Sequence, residues 1–124
     1  MKVMMRETMR FLPGKMAEGT KLLEESLALT NKKYGPFPPV RKYTPWLGGG
    51  NAINTIIVEV EFDSLTQMAE FFEKTMADPE MMETNSKWEA ILESDKEELY
   101  MVMPETKTRS MNRLFCGSFV KGTL

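Results

Sequence analysis

The chain contains no histidine in its 124 residues. That absence removes Ser-His and Cys-His catalytic pairs, imidazole-based zinc sites and His-ligated haem. Any acid–base chemistry falls to Glu, Asp, Tyr or Lys. Cysteine is nearly as scarce: Cys116 stands alone, so neither an intrachain disulfide nor a cysteine-rich metal site can form. No metal site and no cofactor are expected, and the setting expected is reducing and cytoplasmic. No apolar run approaches the roughly 20 residues of a membrane span, and the opening MKVMMRETMRF lacks the apolar core of a signal peptide. A membrane is therefore not an expected partner. Nor is nucleic acid, because no basic stripe interleaved with aromatics occurs.

What is present is ordinary in amount and uneven in placement. With 42% hydrophobic and 27% charged residues, the chain has enough apolar surface for one core and too little length for two. Residues 61–98 hold 12 of the 18 acidic residues against only Lys74, Lys87 and Lys96, while the remainder is net basic. The acidic stretch reads as a solvated helix face.

Periodicity divides the chain at its prolines and glycines. Residues 3–12 alternate, with Val3, Met5, Met9 and Phe11 on one face and Met4, Arg6, Thr8, Arg10 and Leu12 on the other, which predicts a strand. After Pro13-Gly14, the spacing of Met16, Thr20, Leu23, Leu27 and Tyr34 predicts a helix, ended by Gly35-Pro36 and Pro38-Pro39. VRKYTPW, 40–46, predicts an edge strand, since Pro45 cannot donate to a ladder. Gly48-Gly49-Gly50-Asn51 leads into another strand and lacks a Lys-Ser/Thr ending, so it reads as a hairpin turn rather than a phosphate loop. NTIIVEVEFDS, 54–64, is a strand. Asp63-Ser64 caps a helix carrying Leu65, Met68, Ala69, Phe72 and Met76. Asp78-Pro79 breaks it, and a further segment carries Met81, Asn85, Trp88 and Leu92 on one side. ELYMVM, 98–103, is the last strand, closed by Pro104. Met81-Met82 and Met101–Met103 are expected in the core.

The order strand–helix–strand–strand–helix–strand implies an α+β, ferredoxin-like βαββαβ antiparallel sheet with helices on one face. The domain spans 1–104. The tail 105–124, first basic (KTRSMNR) and then apolar (LFCGSFV), is expected to add an edge strand or to act as an arm packing on an acidic surface of its own or a partner subunit.

The third strand carries Glu59 and Glu61 two positions apart. Asn54, Ile56, Val58, Val60 and Phe62 form its uniformly apolar face and must meet the helices, so both glutamates turn away from them. They share that outer face with Met4, Arg6, Arg10, Leu12 and Ile57, and with Tyr100 and Val102 of the last strand. A face so mixed asks for a partner. Two such sheets packed together would make a homodimer with a chamber lined by Arg6, Arg10, Glu59, Glu61 and Tyr100, with Tyr43 and Trp46 at its edge. The same Arg6 and Glu59 could simply neutralise each other across the ladder.

Certain short segments carry a resemblance. Leu12-Pro13-Gly14 runs into a helix, Trp46-Leu47-Gly48 precedes a hairpin, Asn54-Thr55-Ile56 opens the central strand, and Phe62-Asp63-Ser64-Leu65 enters the next helix. With Asp78-Pro79-Glu80, they make residues 3–104 resemble the NIPSNAP-like proteins of the dimeric α+β-barrel superfamily. The resemblance implies a ferredoxin-like homodimer with a cavity between paired sheets, and no catalytic set. Related branches include cofactor-independent monooxygenases of the antibiotic-biosynthesis type, small isomerases and haem-degrading enzymes; the last suit a histidine-free chain poorly. Two functions follow as expectations. The chain binds a small hydrophobic or anionic molecule, or it is a small cofactor-independent monooxygenase or isomerase in which Glu59 or Tyr100 moves a proton.

Overall fold

Residues 1–36, 38–48 and 52–104 are described in a computed structural model of the chain. The alternation in β1 (Val3–Phe11) buries Val3, Met9 and Phe11. The chain then reverses at Leu12-Pro13-Gly14-Lys15, where the Lys15 amide donates to the Leu12 carbonyl at 3.0 Å and Gly14 has φ +78°. Proline at the second position and a left-handed glycine at the third are what a type II turn demands. It delivers the chain into α1 (Met16–Tyr34). β2 (Val40–Tyr43) and β3 (Thr55–Phe62) follow, then α2 (Leu65–Met76), α3 (Pro79–Ser86), a 3₁₀ turn (Lys87–Ala90) and β4 (Leu92–Met101). The sheet is four-stranded in the order β2-β3-β1-β4, and every neighbouring pair is antiparallel. The α+β ferredoxin-like reading therefore holds.

Helix ends follow the capping chemistry. The Ser64 hydroxyl accepts from the Gln67 amide at 3.0 Å while the Gln67 side chain accepts from the Asp63 amide at 2.6 Å, a reciprocal cap of the capping-box kind. Asp78 caps α3 through the Glu80 and Met81 amides, with Pro79 in the first turn, where its missing N–H is no loss. Its other oxygen ties the helices together: Tyr34 Oη donates to Asp78 Oδ2 at 2.5 Å, and Lys33 Nζ lies 3.0 Å from the same oxygen. The Tyr34 hydrogen bond first and the Lys33 ammonium second pull the Asp78 carboxyl down to about 2. The end of α1 is thereby pinned to the break between α2 and α3.

Several predicted boundaries move. β4 begins at Leu92, six residues before the predicted 98, because LESDKE pairs in register with β1 (Ser94 with Arg10, Lys96 with Thr8, Glu97 with Glu7) although it has no alternating apolar pattern of its own. A charged outer strand is also a normal defence against edge-to-edge association. The acidic stretch is thus part strand and not wholly a helix face. β2 stops at Tyr43, short of the predicted 46, and it is indeed an outer strand. In α1 the buried positions are Gly19, Leu22, Leu23 and Thr30, while Thr20 faces out and bonds back to the Met16 carbonyl. Of the residues expected on the apolar face of α2, Met68 and Phe72 turn inward, joined by Phe71, while Leu65, Ala69 and Met76 are exposed. Asn85 is exposed, and Leu92 belongs to β4. Of the four methionines assigned to the core, Met81 is buried but Met82, Met101 and Met103 are not. The glycine turn at 49–51 and the tail 105–124 lie outside the described residues. Among the described residues, no helix is long and apolar enough to cross a membrane.

The core between helices and sheet is anchored at its two ends by aromatics. At one end Phe11, 0% exposed, meets Trp88 with ring centroids 6.1 Å apart. At the other Phe62, 1% exposed, packs against Phe71 and Phe72 at 5.7 and 6.1 Å. α1 approaches Phe11 closely enough that a Cβ at Gly19 would lie 2.3 Å from the ring. Glycine inside a helix loses about 1 kcal/mol relative to alanine, so only this contact explains its presence. Gly19→Ala should therefore destabilise the fold by about 1–3 kcal/mol, the usual range for overpacking, despite its better helix propensity. Urea denaturation checks this, and a variant as stable as the parent would mean that α1 does not seat on Phe11.

Candidate functional site

Midway between the aromatic ends, the sheet presents Met5, Glu7 and Met9 of β1, Val58 and Val60 of β3, and Leu92, Asp95 and Glu97 of β4 to the space under the helices. Glu7 sits four residues from Phe11, or about 13 Å along the strand. The helices do not close fully over this stretch of the sheet. The result is a cavity of about 550 Å³ in which these residues face Leu23, Leu27 and Thr30 of α1, Met81 of α3 and Trp88. Concave, mostly apolar sites with few polar groups are the usual form of a small-molecule site.

The polar group in this wall is a cluster of carboxyls. Glu7 lies opposite Glu97 on β4, and Asp95 stands one pair further along the same face. Oxygens of the three residues lie within 4.8 Å of one another. Burial first, then a hydrogen bond with Asp95 and the negative charges of Asp95 and Glu97, push the Glu7 carboxyl from its ordinary 4.5 up to about 8. At neutral pH Glu7 is therefore a protonated acid, able to donate as well as accept. Carboxylate oxygens would also suit a hard divalent cation, but such ions take about six or more oxygens. A proton on Glu7 removes the one charge of the three that is not exposed, with Asp95 and Glu97 open to solvent.

Glu7 escaped the sequence reading, although its position carried a signal. It falls on the same parity as Val3, Met5, Met9 and Phe11, so it is a lone carboxyl on an otherwise apolar face. Asp95 and Glu97 were hidden because the last strand was expected to begin at residue 98.

The residues singled out from sequence lie on the other side of the sheet. Arg6 of β1 is opposite Glu59 of β3 and Glu98 of β4, with its Nε 3.9 Å from Glu59 Oε2. That nitrogen is buried and has no hydrogen-bond partner among the described residues. The Tyr100 hydroxyl donates to Glu98 Oε2 at 2.6 Å, and this bond both lowers the carboxyl of Glu98 and raises the phenol of Tyr100. Arg6, Glu59, Glu98 and Tyr100 thus form one row across three strands. Glu61 pairs instead with Lys2 at 3.5 Å, and Arg10 with Glu93 at 3.4 Å. Tyr43 stands opposite Ile57 on the outer strand. Trp46 is 94% exposed. The face has the charges expected of it, but the 550 Å³ cavity is on the opposite face.

No family model matches the sequence, and no curated protein does. Solved structures do match. A NIPSNAP family protein from Agrobacterium tumefaciens aligns with 85% of this chain and 89% of its own, at 19% identity and a TM-score of 0.71. An uncharacterized NIPSNAP domain protein from Burkholderia xenovorans aligns over 86% and 98%, at 21% identity and a TM-score of 0.68. SnoaB, a cofactor-independent oxygenase from Streptomyces nogalater, aligns over 86% and 97%, at 11% identity and a TM-score of 0.64. At these identities the likeness is one of fold: this chain has a NIPSNAP-like, ferredoxin-like α+β fold, which the cofactor-independent oxygenase also shares.

Proposed function

We propose that the chain binds a small, largely apolar molecule in the cavity between the helices and the sheet, and that Glu7 is the polar group that orients it. The observation that carries this reading is the Glu7 carboxyl, pushed up to about 8, facing a cavity of about 550 Å³ whose sheet floor and helix wall carry Met5, Met9, Leu23, Leu27, Val58 and Trp88, with further carboxyls along its β4 side. An anion is disfavoured there, because Asp95 and Glu97 would repel it. The test is calorimetric titration with 2-naphthol, a neutral aromatic with one hydroxyl. Saturable binding at one site per chain is expected. Leu27→Trp, which places an indole in the cavity, should weaken it at least about tenfold, a loss of about 1.4 kcal/mol. Binding that ignores this substitution, or none at all, would sink the proposal.

Glu7 also favours a second reading, as an enzyme of the cofactor-independent monooxygenase or isomerase class. A carboxyl with a pKa near neutrality is suited to proton transfer. In an isomerase, ionised Glu7 would take the proton beside a substrate carbonyl and return it to another carbon, leaving the enzyme unchanged. SnoaB supports the class by fold alone. Both readings predict that Glu7 is kept at the expense of stability. Its folded pKa, about 8, lies above the ordinary 4.5, so the folded state holds a proton that the unfolded chain releases. Stability should therefore fall as pH rises from about 4.5 to 8. Glu7→Gln should remove that slope and stabilise the protein by roughly 1–3 kcal/mol at pH 7. Urea midpoints at pH 5, 7 and 9 measure it; a variant whose midpoints keep the parent's pH slope would show that Glu7 ionises normally.

The outer face supports a homodimer formed by sheet-to-sheet packing. Arg6, Arg10 and Arg41 share it with Glu59, Glu61 and Glu98, and Met4, Ile57, Tyr100 and Val102 lie among them. A face bearing both signs is complementary to its own copy under two-fold symmetry. Light scattering at micromolar concentration should return the mass of two chains. Replacing Ile57 with Lys, which places an extra cation in that face, should give one; a monomeric parent would refute the dimer.

A further inference from the structure

A second hollow adjoins the first. Between α2, α3 and the outer strand β4 runs an open groove of about 740 Å³, floored by Met5 and Phe72 and walled by Met68, Met76, Met82 and Leu99. Its walls are unusually bare for an apolar surface, with Met76 65%, Leu99 52% and Met82 42% exposed. Flexible methionine side chains adapt to whatever covers them. We propose that the occupant is this chain's own C-terminal segment, Leu114–Val120 (LFCGSFV).

Continuity, reach and charge support that assignment. The described chain leaves β4 through Met101, Val102, Met103 and Pro104, directly beyond the strand that forms one wall of the groove. Residues 105–113 separate Pro104 from Leu114, and nine residues reach at most about 30 Å, close to the length of β4 itself. The segment can therefore return anywhere along that strand. Its composition suits the site, since Leu114, Phe115, Phe119 and Val120 supply apolar side chains while Gly117 and Ser118 leave room for close approach. The flanking charges match as well. Residues 105–124 carry Lys107, Arg109, Arg113 and Lys121 against Glu105 alone, and the groove wall carries Glu97 and Glu98 within the acidic 61–98 stretch. The groove and the 550 Å³ cavity share Met5, Thr30, Phe72, Met81, Asn85 and Glu97 in their walls. The docking does not depend on the cavity binding anything.

Cys116 is the only cysteine and lies within the segment, which makes it the probe. Met82→Cys and Leu99→Cys each place a second thiol on an exposed part of the groove, and Tyr43→Cys places one on the far strand and the outer face. All are made in the full chain and oxidised with diamide. Disulfide formation within one chain should be at least about tenfold faster for the two groove variants than for Tyr43→Cys, as expected when one partner is held at high effective concentration. Rates equal to the Tyr43→Cys control would overturn the proposal. So would covalent dimers as the main product, which would give the groove to a second copy's tail. Thermal melts of all three variants establish that the comparison is between folded proteins.

Discussion

The separation between sheet and helices is held by aromatic side chains at the two ends of the interface, and much else depends on that spacing. Among the described residues, Phe11 and Phe62 are the largest fully buried side chains, and they close opposite ends of the same antiparallel pair. Each is met from the helical layer by further rings, Trp88 on one side and Phe71 and Phe72 on the other. Glycine at position 19 lets α1 settle onto Phe11 as closely as a backbone can. Between these ends lies the hollow above Glu7, with Trp88 and Phe72 themselves in its wall.

A carboxyl in that hollow is costly for stability, and the protein relieves the cost by keeping it protonated. Burial dominates the shift, with Asp95 and Glu97 adding to it. Nothing in the packing requires a glutamate there; a methionine, as at positions 5 and 9, would continue the apolar face. Displaced pKa values cluster at functional sites and also arise in structural clusters of charge. The opposite face of the same sheet solves a different problem. Its arginines and glutamates stand within reach across neighbouring strands, and such partly exposed pairs contribute little energy, up to roughly 1 kcal/mol each. Their effect is to balance opposite charges across neighbouring strands of that face.

The acidic segment between residues 61 and 98 also serves several purposes at once. Asp78 caps α3 and holds Tyr34 and Lys33, so one side chain joins the ends of two helical segments to α1. Asp95 and Glu97 raise the proton affinity of Glu7. Glu98 binds the Tyr100 hydroxyl on the outer face. Successive residues of β4 thus act on opposite sides of the sheet, as the two-residue period of a strand requires.

Local rules were sufficient for much of this fold. The parity of β1 and β3, the Pro13-Gly14 turn, the Ser64 and Asp78 caps and the edge position of the proline-flanked β2 are all legible, because each depends on residues close in sequence. The outward direction of Glu59 and Glu61 is legible for the same reason. Tertiary structure alone decided the rest. β4 extends back to Leu92 because β1 supplies its hydrogen bonds, which no pattern within LESDKE announces. Only that pairing brings Asp95 and Glu97 beside Glu7, some 90 residues away in sequence. The cavity is likewise invisible to any single element, since its walls come from strands and helices that meet only when the helices close over the sheet.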